Sequence, residues 1–324
     1  MSAHVAFVSH ADCGRHDTGW QHPEHVGRLR AVLRAVGRDV DLFTTVEHRE
    51  ARHATADELA LAHDASYVGR VRALAERGGG RLDADTVTSE GSWDAGTAGC
   101  GAVLDGVDFV YGAGDRADAG DAADGAGGAR RAFAAVRPPG HHALRDSAMG
   151  FCLFGNVAVA ALYARARHGA RRVLIVDWDV HHGNGTQALV EHEPDVRFVS
   201  MHQWPWYPGT GAAEDRGPHA SVWNVPLPPG LAAERYRDAL ERAVDAATHR
   251  WVPDLVLLSA GFDCLAGDPL GGFTLELDDV ERLTRAMTAR ADAWCGGRLV
   301  SALEGGYAPE RLGQAAAVHL GALR

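Results

Sequence analysis

The chain contains no lysine. All 32 of its basic residues are arginine, set against 43 acidic ones, for a formal net charge of −11. That balance leaves no broad basic face and excludes nucleic acid as the expected partner. It is compatible with a cationic substrate, although acidity also serves solubility. Cysteine is scarce as well. Cys13, Cys100, Cys152, Cys264 and Cys295 are scattered, odd in number and form no CxxC pair. This excludes a cysteine zinc cluster and fits a reducing compartment. No apolar run approaches the length of a membrane span. The opening MSAHVAFVSH has neither a basic segment nor a long apolar one, so the expectation is a cytoplasmic protein with no membrane partner. Internal repeats and interdomain linkers are also missing. With 324 residues and 46% hydrophobic content, residues 1–324 are read as a single catalytic domain with a full core.

What is present is a recurring unit: a short apolar run, then polar or glycine-rich residues, then a helix-like stretch. The runs are Val5–Val8, Ala132–Val136, Val173–Val176, Val196–Ser200, Leu255–Leu258 and Leu299–Leu303. Helix-like stretches include Val157–His168, Ala232–His249 and Leu277–Trp294. The alternation predicts an α/β fold with a central, mainly parallel sheet flanked by helices on both faces. Ligands bind beyond the carboxyl ends of such strands, and that is where the reactive residue types of this sequence fall. The one low-complexity stretch, Gly112–Gly128, reads GAGDRADAGDAADGAGG and is taken as a flexible insertion loop. It precedes a strand, so it is expected at the end of the sheet opposite the chemistry.

The most informative segment is Val173–Thr186, VLIVDWDVHHGNGT. A run buried on both faces passes directly into Asp177, Asp179, His181, His182 and Asn184. Charged and imidazole groups at the end of a buried strand are costly unless a metal or a partner charge satisfies them. In extended backbone, alternate residues point the same way, so Asp179 and His181 can converge. With Asp263, at the end of SAGFD, they make a ligand set of two oxygens and one nitrogen. That set suits Zn²⁺ and keeps a position for water and substrate; it also accepts Fe²⁺ or Mn²⁺. His141 and His142 follow the rigid turn Pro138-Pro139-Gly140. Two adjacent histidines can divide labour when one meets a carboxylate and the other an amide, and Asp177 and Asn184 offer those partners. Tyr307, after Glu304-Gly305-Gly306, has the flexibility to swing its hydroxyl toward a polarised carbonyl. Arg28, in HPEHVGR, reads on its own as a surface arginine.

Taken together, VRPPGHHA, MGFC, DWDVHHGNGTQ, SAGFD, GDPLGG and EGGY resemble the zinc-dependent histone deacetylase superfamily, most closely its class II and bacterial amidohydrolase branch. The resemblance runs from His16 to Tyr307. It implies a single arginase-like α/β domain. It also implies an amidohydrolase that removes acetyl groups from the Nε of acetyl-lysine in proteins or peptides, with water activated by the metal and the histidine pair. It assigns Asp179, His181 and Asp263 to zinc, pairs His141 with Asp177 and His142 with Asn184, and makes His142 the general base and then acid. Tyr307 would hydrogen-bond the amide carbonyl and the oxyanion formed from it. Phe151 and Tyr207 match the aromatic walls of an acyl-lysine tunnel, with Gly150 beside Phe151, Leu270 on the rim and Asp85 holding the substrate backbone. Arg28 matches an arginine of the internal cavity, and Asp177 with Ser200 resembles a structural potassium site. Trp206, next to Tyr207, adds bulk to the rim.

Three other readings share parts of this pattern. An acetylpolyamine or other small N-acyl-amine deacetylase would use the same slender tunnel. An arginase-like ureohydrolase would need aspartates where Gly183 and Leu265 stand. A non-catalytic acyl-lysine-binding protein would be expected to have lost a ligand or Tyr307, and none is missing.

Overall fold

The computed structural model describes residues 4–112 and 129–324. The expected insertion loop, except for Gly112, lies outside them. The strands are β1 (His4–Ser9), β2 (Glu47–Glu50), β3 (Gly79–Arg81), β4 (Val87–Ser89), β5 (Arg130–Ala134), β6 (Val173–Asp177), β7 (Val196–Gln203), β8 (Val222–Leu227), β9 (Leu255–Ala260) and β10 (Leu299–Leu303). The helices are α1 (Gly27–Arg38), α2 (Val40–Thr45), α3 (Ala56–Leu59), α4 (Ala65–Glu76), α5 (Ser92–Val110), α6 (Asn156–His168), α7 (Asn184–Val190), α8 (Ala233–Thr248), α9 (Leu277–Cys295) and α10 (Pro309–Ala322).

Eight strands form one sheet in the order β2-β1-β5-β10-β9-β6-β7-β8, and every pairing in it is parallel. Parallel neighbours need crossovers, and the helices that supply them bury both faces of the sheet. Each apolar run read as a strand is one. β6, β9 and β10 are buried along their whole length, which is why they appear in the sequence as unbroken apolar runs. α6 ends where Gly169 takes a left-handed conformation (φ +68°), a stop that glycine adopts without steric cost.

Four strands were not foreseen: β3 and β4, which pair antiparallel in a small separate sheet, and β2 and β8, the edges of the main one. β2 reads EHRE, with no apolar residue and alternating exposure. β8 carries Pro226, which cannot donate to a ladder on both sides and is tolerated at an edge. Neither has the buried-strand pattern that identified the others.

The register sets up the site. Asp177 at the end of β6 stands level with Ser259 of β9 on one side and Ser200 of β7 on the other. Past that line the strands give way to loops carrying Asp179, His181, Asp263, the Glu304–Tyr307 turn and, after β5, the histidine pair. All of them leave the carboxyl end of the sheet.

Candidate metal centre and active site

Asp179, His181 and Asp263 bring one ligand atom each to within 4.8 Å of one another, and all three residues are buried. Their backbone neighbours hold them in place. Asp179 Oδ1 accepts from the His181 N–H at 2.9 Å, and Asp179 Oδ2 from the Gly305 N–H at 2.8 Å. Asp263 Oδ1 accepts from the Val180 N–H at 2.8 Å. Asp263 Oδ2 is buried with no hydrogen-bond partner, 3.3 Å from His181 Nδ1. A buried carboxylate oxygen left without a hydrogen bond is what a cation ligand looks like when the protein supplies every other contact. The electrostatics agree. Burial, reinforced by the charge on Asp179, pushes Asp263 up to about 7. His181 reaches about 10 because its hydrogen bond to Asp179 and the nearby charge of Asp263 outweigh its burial. Two carboxylates packed this closely need positive charge between them, which a bound divalent metal would supply. Gly305 closes the cluster, since a Cβ there would overlap both the Asp263 and Asp179 carboxylates.

The histidine pair sits beside this centre with its rings 4.0 Å apart. His141 Nδ1 lies 2.9 Å from Asp177 Oδ2, and His142 Nδ1 lies 2.7 Å from Asn184 Oδ1. Their titration is driven apart. Burial opposes charge on His141, but Asp179 and Asp177 overcome it and hold its pKa well above the usual histidine range. His142 is held well below that range by burial and then by the charges on His141 and His181. The two imidazoles are thus pushed in opposite directions, His141 toward its charged form and His142 toward its neutral one.

A cavity of about 220 Å³ opens above the centre, lined by Asp85, His142, Gly150, Phe151, His181, Trp206, Tyr207, Leu270 and Tyr307. Most of the predicted binding residues converge there. Gly150 (φ +55°) and Phe151 (φ +69°) are both left-handed, an uncommon state for a bulky aromatic. The turn is held by Asp85 Oδ1, which accepts from the Gly150 N–H at 3.2 Å, and by Thr86 Oγ1, which accepts from the Phe151 N–H at 3.0 Å. At Gly150 a side chain would run into the His142 ring. The Trp206 indole donates to the Leu270 carbonyl at 2.8 Å, joining two parts of the rim. A larger groove, about 780 Å³, lies near the amino end of β6 beside Arg165, Arg171 and Glu193. It contains none of the residues that carry chemistry.

Arg28 is neither at the surface nor in this cavity. It is fully buried beneath Tyr307, its guanidinium carbon 4.8 Å from the ring centroid. Arg28 donates to Glu24 Oε1 at 3.0 Å and to the Gly306 carbonyl at 2.6 Å, and also to the Glu304 carbonyl. Ser200 stands beside Asp177, but both are engaged by protein. Asp177 accepts from the Asp179 N–H at 3.0 Å as well as facing His141, and Ser200 Oγ lies 3.1 Å from His202 Nδ1.

Several residues that shape the site were not singled out from the sequence. Arg137 donates twice to Glu24 (2.9 and 2.8 Å) and once to the His16 carbonyl (2.6 Å), with no exposed surface. Glu304 Oε2 accepts from the Gly140 N–H at 2.6 Å and from the His141 N–H at 3.2 Å, locking the histidine turn to the Tyr307 loop. Asp268 Oδ2 accepts from the Tyr307 N–H at 2.6 Å. RPPG, GDPLGG and EGGY each marked such a residue, but the partners are more than a hundred positions away or on another loop.

The family model for the histone deacetylase domain matches residues 22–323. The chain belongs to the histone deacetylase family. It is 39% identical over 290 residues to a histone deacetylase-like amidohydrolase of Pseudomonas aeruginosa, covering 88% of this chain and 71% of that one. Identity is 42% over 306 residues to an uncharacterised protein of Synechocystis, covering 94% of each. Histone deacetylase 10 of rice, a chloroplastic protein, is 35% identical over 97% of this chain and 72% of its own length. Among solved structures, the HDA15 HD domain superposes with a TM-score of 0.88 at 33% identity, over 100% of this chain and 88% of that one. This family member is a hydrolase of carbon–nitrogen bonds in amides other than peptide bonds, with the deacetylase fold expected of it. No helix among the described residues is long and apolar enough to cross a membrane.

Proposed function

We propose that this protein is a zinc-dependent deacetylase of acetyl-lysine in proteins or peptides. The observation that carries the reading is the slot between Phe151 and Tyr207, which leads to the free imidazole of His142, the Tyr307 phenol and the Asp179–His181–Asp263 centre. An acetylated lysine side chain is a narrow apolar stem ending in a polar amide. It suits a cavity with aromatic walls and convergent polar groups at the floor. Asp85 at the rim is placed to accept from a peptide N–H.

Asp179, His181 and Asp263 would hold the metal, which when bound polarises the amide carbonyl and lowers the pKa of water. His142, unprotonated at neutral pH, takes the proton from the attacking water and then hands one to the departing amine. His141, cationic against Asp177, favours the negative charge that develops beside it. Tyr307 keeps its proton, because burial pushes its pKa well above the usual phenol range, and donates a hydrogen bond to the carbonyl oxygen as that oxygen gains charge. Arg28 and Asp268 fix the Tyr307 loop from beneath and beside.

The test is turnover of an acetyl-lysine peptide against N-acetylputrescine and acetylspermidine by the zinc-loaded protein. A preference for the peptide of about tenfold or more in kcat/KM, or about 1.4 kcal/mol, supports the reading. Preference for the polyamines overturns it in favour of a small-molecule amidohydrolase. Tyr307→Phe is expected to lower kcat about a hundredfold or more with KM little changed. Near-normal turnover in that variant removes the oxyanion role.

A further inference from the structure

Asp268 is buried on the loop after β9, beyond Asp263, and its two carboxylate oxygens serve different parts of the site. Oδ2 accepts from the Tyr307 N–H at 2.6 Å, and Oδ1 accepts from the Leu270 N–H at 2.9 Å. We propose that Asp268 is a positioning residue that makes the Tyr307 phenol and the Leu270 rim one unit. The wall that the substrate touches and the group that acts on its carbonyl are then placed together. The proposal rests on the reading of Tyr307 as the donor to the oxyanion.

The argument begins with the turn that carries Tyr307. Gly305 and Gly306 precede it, and Gly306 sits at φ +120°, a conformation that glycine adopts without steric cost. A diglycine turn does not fix its own peptide planes, so partners must. The peptide group between Gly306 and Tyr307 has one at each end. Its carbonyl accepts from Arg28 Nε at 2.6 Å, and its N–H donates to Asp268. Turning this plane would swing the phenol. Asp268 holds the half of the plane that belongs to the tyrosine itself.

The second oxygen carries the argument to the rim. A bond from an aspartate to the N–H two residues on makes a tight local turn, and Pro269 between them fixes the backbone further. Leu270 lines the cavity beside Tyr207 and Phe151. β9 and β10 are parallel neighbours in the sheet, so their loops leave it side by side, and one short side chain reaches both. A carboxylate suits the task because it offers only acceptors to two backbone donors. Its amide isostere could satisfy one N–H and would turn its own NH₂ on the other.

The experiment places Asp268→Asn in wild type and in Tyr307→Phe, and measures kcat and KM on one acetyl-lysine peptide, with zinc counted per chain. Alone, Asp268→Asn is expected to lower kcat about tenfold to a hundredfold by misplacing the phenol. It should also raise KM about threefold or more by loosening the rim, with zinc content as in wild type. In the Tyr307→Phe background the same change should leave kcat within about twofold while KM rises as before, because its effect on kcat passes through the missing hydroxyl. A further full loss of kcat in that background would make Asp268 a general support of the fold and overturn the proposal. So would wild-type kcat, or wild-type KM, in Asp268→Asn alone. Near-normal turnover in Tyr307→Phe by itself would instead remove the oxyanion reading, and the proposal with it. Should Asp268→Asn not fold, amide exchange of the wild-type protein decides. The Tyr307 and Leu270 N–H groups are both expected to be protected about a hundredfold or more, and rapid exchange at either overturns the proposal.

Discussion

At the floor of the pocket Asp177, Asp179 and Asp263 have no exposed surface, whereas at its rim Trp206 and Tyr207 leave 44% and 38% of theirs in solvent. The floor is assembled from the ends of β6 and β9 and the loops after β5 and β10, with each carboxylate tied to backbone N–H groups of its own or another segment. The rim is three loops joined by single bonds such as Trp206 to Leu270. Buried charge must be fully partnered to be tolerated, so the floor has one workable arrangement. The rim is governed by packing and solvent and can change without collapsing the fold. On the proposed reading, chemistry belongs to the first region and choice of substrate to the second.

The largest expected effect comes from the floor's own ligands. Asp263→Asn should remove bound metal from the centre and lower turnover by about a thousandfold or more, read by elemental analysis alongside kcat. A variant that kept both would show that the three-residue centre is not the one used. His142→Ala should follow with a loss of about 10²–10⁴ in kcat. The wild-type pH profile sharpens this test. A base works only unprotonated, and the pKa of His142 is depressed by burial and neighbouring histidine charge. The acid limb of kcat/KM should therefore lie below pH 6.5, with activity sustained from there through neutrality. A limb centred above pH 7 would contradict the assignment.

Next comes the brace under the floor. Arg137→Met removes one of the two buried guanidinium partners of Glu24, leaving Arg28 alone, and should cost about 3 kcal/mol in urea unfolding. The same kind of change at Arg72, which pairs with Glu76 across an exposed helix face, should cost less than about 1 kcal/mol. Similar losses at both positions would dissolve the distinction between buried and exposed ion pairs here. The smallest effect belongs to the rim. Trp206→Ala should leave kcat within about twofold and shift KM by less than about tenfold, differently for peptide and small substrates. A collapse of kcat would place Trp206 in the chemistry.

How much of this was legible in the sequence follows the same division. The six buried strands, and the metal-centre and histidine residues that follow them, could be read because burial on both faces produces unbroken apolar runs, and polar residues at their ends stand out. The edges β2 and β8 have no such pattern. Glu24, Arg137, Asp268 and Glu304 lie in segments that stand out in the sequence, but none was read as functional because their partners are not local. Each matters through a partner brought near by folding, as Arg137 is to Glu24 across 113 positions. Arg28 read as a surface arginine for the same reason.

The sequence by itself determined the class of fold and the family and supplied the candidate residues of the proposed centre, because buried-strand periodicity and motif spacing are local properties of the chain. Only the tertiary structure decided which oxygen of Asp263 lacks a hydrogen bond, which neighbouring charges drive His141 and His142 apart, and that Arg28 lies beneath Tyr307. Those outcomes depend on burial and on charges a few ångströms away, and such distances exist only once the chain has folded.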